Sequence, residues 1–211
     1  MLKDSVGEVE IDIMGSYYEQ DGIHSAVEGG EGSQKLTDMV GTVVLNVPID
    51  TINLINVSVN YDSYTSASSS QISWNDDEPA VSSPSYEDER TYGHFTYSRI
   101  TEKNGVFSLG AGISSEWDVF SHSYTLGWQK SFDNENKTVS IDGNLIFDNW
   151  SLIYPSEISS VLAEEGTGLT NDLRQTYGLA ATYSAVINKK MQAQLVYNFT
   201  YQSGLLSTPF H

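Results

Sequence analysis

The chain has 211 residues, with 28 acids against 10 bases, a formal net charge of −18, 39% hydrophobic residues and no Cys. Phosphate recognition needs clustered Lys and Arg, so this balance argues against a nucleic-acid partner, and the lack of Cys excludes disulfides, thiolate metal sites and a Cys nucleophile. The length fits one β domain over 1–211, and no apolar run reaches the roughly 18 residues of a transmembrane helix.

A period of two runs through the chain, the mark of strands whose side chains alternate between faces. Residues 9–18 place Val9, Ile11, Ile13 and Tyr17 on one side and Glu10, Asp12, Met14, Ser16 and Tyr18 on the other. Residues 39–47 group Met39, Val43, Leu45 and Val47, and 55–62 set Ile55, Val57, Val59 and Tyr61 against Asn56, Ser58, Asn60 and Asp62. In 92–98, Phe95 and Tyr97 oppose His94, Thr96 and Ser98. In 106–116, Phe107, Leu109, Ala111 and Ile113 oppose Ser108, Gly110, Gly112, Ser114 and Glu116. The pattern continues through 120–130 (Tyr124, Leu126, Trp128), 138–148 (Val139, Ile141, Leu145, Phe147) and 175–186 (Tyr177, Leu179, Ala181, Tyr183). It ends with 191–202, MQAQLVYNFTYQ, whose odd positions are all apolar or aromatic. These nine strands, with no 3.6-residue period, predict an all-β chain.

Loop length alternates along the chain. Short links at 49–53, 101–105, 132–137 and 187–190 lie between long ones at 21–35, 66–90 and 151–173, with EWDV (116–119) where another long one is due. Up-and-down barrels of the outer membrane have short turns at one end and longer loops at the other. Charge divides the same way. The segments 21–35, 66–90, 116–118 and 151–173 carry 15 acids and only Lys35 and Arg90 as bases. Arg99, Lys103, Lys130, Lys137, Lys189 and Lys190 sit by the short turns. Aromatics gather near strand ends: Tyr17, Tyr61, Tyr64, Tyr92, Trp117, Trp150 and Tyr154 by the long loops, Trp128 and Phe132 by the short turns. Aromatic girdles at two membrane interfaces have this distribution.

The expected fold is therefore an antiparallel up-and-down transmembrane β-barrel of the outer-membrane type. Long acidic loops face outside and short turns face the periplasm. Nine is an odd count, whereas single-chain bacterial barrels usually have an even one, and the chain stops at the loop-like LLSTPFH. An open edge in lipid leaves backbone groups unpaired, so the expectation is an incomplete part of a larger barrel, truncated at its C-terminus. No apolar stretch of signal-peptide type follows Met1, so any export signal has been removed or lies in a longer chain.

Several blocks carry a family resemblance: EGGEGSQKLTD (28–38), YDSYTSASSSQI (61–72), SSEWDVFS (114–121), FDNWSLIYPSE (147–157) and YQSGLLSTPFH (201–211). With these, nearly the whole chain resembles an uncharacterised family of Gram-negative outer-membrane proteins known only as domain of unknown function DUF3570. The resemblance implies an outer-membrane barrel whose chain continues into further strands. It implies no activity and no catalytic residues.

The candidate site residues are the polar-face acids Glu10, Asp12, Asp38, Asp62, Glu116, Asp142 and Asp148. In a wet lumen they attract cations; in a plugged one they pair with bases of a plug or of later strands. Asp76, Asp77 and Glu78 in WNDDEPA (74–80), with YEDER (86–90), form a dense acidic stretch placed on one loop. It could recruit Ca²⁺ or Mg²⁺, although its spacing is not that of an EF-hand and a solvated loop explains it as well. The hydroxyl-rich YDSYTSASSS (61–70) could hold a hard cation or a sugar, or simply satisfy loop backbone groups. His94 with Ser98 or Ser108 would be the starting point for a hydrolase, but no spacing selects a triad. His24, His122 and His211 make no zinc motif. Gly110 and Gly112 lie in a strand with no following helix, so they relieve crowding rather than cradle a nucleotide.

Three functional readings follow. The first is a channel or binding protein for small polar or cationic solutes. The second is a plugged structural barrel serving as a platform for a periplasmic or surface partner protein. The third is an outer-membrane hydrolase. No cofactor is expected beyond divalent ions at the acidic loops. The expected surroundings are lipid and lipopolysaccharide of the Gram-negative outer membrane. A soluble β-sandwich or lipocalin-like barrel is the competing fold.

Overall fold

The computed structural model describes residues 7–21, 32–33, 35–65, 68–69, 87–101, 104–152 and 171–206. Among these residues it contains strands and no helix: β1 (Glu10–Gln20), β2 (Gly32–Ser33), β3 (Leu36–Pro48), β4 (Asn53–Thr65), β5 (Ser68–Ser69), β6 (Glu87–Thr101), β7 (Gly105–Ser115), β8 (Val119–Phe132), β9 (Lys137–Ser151), β10 (Asn171–Asn188) and β11 (Met191–Gly204). Nine of them form one sheet in the order β1-β3-β4-β6-β7-β8-β9-β10-β11, every pair antiparallel. The two-residue strands β2 and β5 pair separately, a ladder too short to show as a period in the sequence. Because each strand pairs with the next long one in chain order, the sheet is a plain up-and-down meander.

The register aligns the apolar parities of all nine strands on one face. One cross-strand row runs Ile13, Val43, Val59, Gly93, Ile113, His122, Phe147 and Gln175, and another Tyr97, Leu109, Leu126, Gly143, Leu179 and Phe199. Among the described residues no second layer covers this face, since strands touch only their sheet neighbours. Ile13 is 78% exposed and Leu195 71%, while Val119, at 9%, is the single buried hydrophobic among the described residues. The buried polar residues Asn60, Asp148 and Thr176 all belong to the opposite face. Among the described residues the sheet has no cover on either face, so crowding concentrated on one face is what curling toward that face produces. The wall therefore bends toward its polar face, as an open barrel does.

Its two ends are built differently. At the short-turn end, Asp50 accepts the amides of Ile52 (2.8 Å) and Asn53 (2.7 Å). These donors stabilise the ionised form and hold the Asp50 carboxyl below its usual range. The β8–β9 turn holds Asp133, Asn134 and Glu135 at positive φ, and Lys137 closes onto Asp133 at 2.8 Å. At the other end the links are 21–35, 66–86 and 152–170, with a tight 116–118 between β7 and β8.

The strands reach further toward the long-loop end than the alternation alone suggested. YEDER was expected within a loop, yet Glu87–Arg90 are in β6, with Asp88 opposite Tyr64 and Arg90 opposite Asp62. Asp88, Arg90 and Tyr92 simply continue the parity of His94 and Thr96. The acidic run hides a strand because its acids pair with the neutral Thr65, Tyr64 and Ser63 of β4, Tyr64 donating to Asp88.

Both edges of the sheet are unpaired among the described residues, and β1 and β11 run in the same direction. Joining β11 directly to β1 would be a parallel contact. Antiparallel closure requires an odd number of additional strands, whatever chain supplies them.

Candidate functional site

The polar face is the part of the fold with chemistry to offer. Near its middle the side chains are small or lie flat. His94 stretches across the two glycines of β7, so a Cβ at Gly112 would sit 2.9 Å from its ring and 2.8 Å from Ser123 Oγ. The sequence reading of crowding inside the wall is met here in geometric form. The carboxylate of Asp142 and the hydroxyl of Ser108 crowd Gly127 in the same way, and the Asn144 amide lies over Gly178. Amide and hydroxyl pairs tie neighbouring strands: Thr42 donates to Asn60 (2.7 Å), Asn56 to Asn46 (2.7 Å) and Gln202 to Thr176 (3.1 Å).

Toward the long-loop end the face becomes a belt of charged and aromatic groups. Arg90 Nε donates to Ser114 Oγ (3.0 Å) and meets Glu116 Oε1 at 3.1 Å, with its guanidinium 5.0 Å from the Tyr92 ring centroid. Arg174 Nε donates to Asp148 Oδ2 at 2.7 Å and sits 4.9 Å from the Trp150 ring centroid. Ser121 donates to the other Asp148 oxygen at 2.7 Å. The Asp148 side chain is only 6% exposed, so these two donors are what allow a carboxylate there. Tyr64 donates to Asp88 at 3.1 Å beside them. Burial raises the carboxyls of Glu116 and Asp118 in the adjoining turn; neighbouring acids add to this, while Arg90 partly offsets it at Glu116.

The seven acids expected on the polar face do not form one cluster. Asp62 and Glu116 flank Arg90, and Asp148 pairs with Arg174. Glu116 lies one residue beyond β7, in the turn rather than in the strand, and turns inward to Arg90. Asp38 lies opposite Tyr18 and Tyr64, near the same rim. Glu10 and Asp12 are exposed on the edge strand β1, and Asp142 lies in the short-turn half opposite Gly127 and Ala180. No group of three or more His, Asp or Glu with metal-holding geometry occurs among the described residues. Asp76, Asp77 and Glu78 lie outside the described residues, as do the Ser-rich positions 66–67 and 70.

His94, Ser98 and Ser108 share the face, but the imidazole Nδ1 engages Thr96 Oγ1 at 3.1 Å, and Ser98 pairs with Ser108 two residues further down β6. Neither serine is a hydrogen-bond partner of His94 among the described residues. An open groove of about 520 Å³ at the short-turn end is lined by Gly7, Pro48, Leu54, Ser98, Ile100 and Val106.

Sequence reasoning missed Arg90 and Arg174 as members of the site. Each shares the parity of its strand's polar residues, so extending the alternation by two positions would have found both. Trp150 was read as a girdle residue, but its partner Asp172 and the Arg174 contact put it on the polar side.

A family model described as "Protein of unknown function (DUF3570)" matches residues 4–211. No curated protein and no solved structure matches the chain.

Proposed function

The chain belongs to that family of proteins of unknown function, and from its geometry we propose that it is a membrane-spanning β wall whose polar face lines a passage or binding chamber for small polar or cationic solutes. The observation that carries this reading is the inverted exposure. Among the described residues the buried side chains, Asn60, Asp148, Thr176 and also Val119, lie on the polar face, and the opposite, apolar face is bare. In water such a face would drive aggregation; against acyl chains it needs no protein cover. Among the described residues every strand of the nine-stranded sheet between β1 and β11 is paired on both sides, as a bilayer demands of backbone groups, and only the outer edges of β1 and β11 are open in it.

The margins of the apolar face fit the same reading. At the long-loop end His122 stacks on Phe147 with ring centroids 5.1 Å apart and meets Tyr124 edge-on, while Tyr17 donates to Glu19, itself held by Lys35. At the other end Trp128 and Phe132 lie with Arg99, Lys130 and Lys137 on the same face. From His122 to Phe132 along a strand tilted by about 45° is about 24 Å, close to the apolar band of an outer-membrane barrel. The outer membrane of a Gram-negative cell, with lipid and lipopolysaccharide around the wall and long acidic loops outward, is the proposed location.

Asp12, Asp62 and Asp142 stand at different heights on the polar face and would favour cations along it. Planar-bilayer recordings on the full-length protein test this. The expected result is cation-preferring conductance that loses its preference when Asp12→Asn, Asp62→Asn and Asp142→Asn are combined. Absence of any conductance would overturn the channel reading in favour of a closed platform for a partner protein.

A further inference from the structure

The belt at the long-loop end has a chemical signature that solvent lining does not require. Arg90 and Arg174 are built alike. Each lies over an aromatic ring and is engaged through Nε by a carboxylate, Glu116 or Asp148. That arrangement fixes the guanidinium plane and leaves the outer Nη groups as donors on the face. Between the two arginines, Ser114 and Ser121 are direct cross-strand partners on β7 and β8. The belt thus crosses β6 to β10, about 19 Å at normal strand spacing.

Two buried polar atoms have no hydrogen-bond partner among the described residues: Asp62 Oδ1 and Trp150 Nε1. One belongs to each arginine. Asp62 is the cross-strand partner of Arg90, and Trp150 is the ring beneath Arg174. The two atoms have opposite needs. A carboxylate oxygen only accepts, and an indole N–H only donates. A free anion would satisfy the tryptophan and be repelled by Asp62, Asp88, Glu116 and Asp148, which outnumber the two arginines. A metal or ammonium ion would satisfy Asp62 and leave the tryptophan unpaired. A hydroxyl group both donates and accepts, carries no charge, and suits both ends.

We propose that this belt, extended to Asp62 on β4, is a binding site for a neutral polyhydroxyl chain, a saccharide of several rings lying across β4 to β10. The proposal deepens the solute-chamber reading and rests on the polar face being the water-filled side. Asp62 on β4 takes a hydroxyl at one end, and Trp150 on β9, beneath Arg174, takes one near the other. The Arg90 and Arg174 Nη groups donate to hydroxyl or ring oxygens between them, and Glu116 and Asp148 hold those guanidinium planes in register.

The test is calorimetric titration of the full-length protein in detergent. The probes are a panel of neutral oligosaccharides built from hexoses, deoxyhexoses and N-acetylhexosamines, and uronic-acid oligomers as the charged comparison. Binding of a neutral oligosaccharide, weakened about tenfold by Trp150→Phe and by Asp62→Ala, is expected, since each change removes one hydrogen bond. Trp150→Phe keeps an aromatic platform for Arg174, so it separates the lost N–H from a lost fold, and circular dichroism checks both variants. The proposal is overturned if no neutral probe binds, if uronic-acid oligomers bind more tightly, or if binding is unchanged by both substitutions. Iodide quenching of a dye on Asn198→Cys distinguishes the levels. Quenching without saccharide binding sinks the belt alone, and no quenching sinks the water-filled face with it.

Discussion

Leu126→Arg is the substitution that weighs the two faces most sharply. Leu126 lies in β8, seven residues after Val119 and six before Phe132, and its cross-strand partners on the apolar face are Leu109 and Gly143. At about 3.4 Å per residue and a 45° tilt it sits about 10 Å from His122 and about 14 Å from Phe132, the margins of the apolar band. An arginine there cannot bring its charge to either interface, because its extended side chain is shorter than either distance. Charged residues at the midplane of a lipid-facing strand cost about 2–4 kcal/mol. If water bathed the face instead, exchanging a 52% exposed leucine for arginine would be a surface change of about 0.5 kcal/mol or less. Asn198→Arg on the polar side of β11, opposite Ala180, is the matched control and should stay within about 1 kcal/mol. Urea unfolding in phospholipid vesicles, followed by tryptophan emission, measures both. A Leu126→Arg cost under about 1 kcal/mol, or equal costs for the two variants, would refute the assignment of faces.

Gly112→Ala should destabilise by about 1–3 kcal/mol in the same assay, because its Cβ would meet Ser123 Oγ at 2.8 Å, the His94 ring at 2.9 Å and the Gly93 carbonyl at 3.1 Å. Gly41→Ala, with nothing within 4 Å, should be close to neutral. The pH dependence is also set by position. Glu116 and Asp118 bind protons more readily folded than unfolded, so their effect favours folding below their ordinary values of 4.5 and 3.8 and is lost as pH rises through the raised ones. Combining Glu116→Gln with Asp118→Asn should therefore flatten the fall in urea midpoint between about pH 4 and about pH 7. An unchanged slope would show that burial of this turn does not govern it.

The strands were legible because each needs only a period of two, and nine consecutive segments kept it. Their pairing was legible too, since short turns such as 189–190 and 133–136 leave neighbours no alternative to a meander. Strand ends were not. Glu87, Asp88 and Glu89 look like solvated loop when read one at a time, and only the register with Tyr64 and Asp62 reveals why they continue β6. The polar-face acids were placed on the correct side by parity, but parity says nothing of height. It could not show that Asp62, Glu116 and Asp148 meet arginines near one rim while Asp142 lies far below. The same limit hid the belt: Arg90 and Arg174 are distant in sequence and become members of one site only through four intervening strand pairings.

The account stands on which solvent each face meets, and the absence of Cys makes that directly measurable. Single cysteines introduced in turn from Gln194 to Tyr201 carry an environment-sensitive dye in vesicles, and quenching is read with brominated acyl chains and with aqueous iodide. The account predicts that positions 195, 197, 199 and 201 respond to the brominated lipid and 194, 196, 198 and 200 to iodide. Uniform iodide quenching along the strand, or bromine quenching on the even positions, would contradict it.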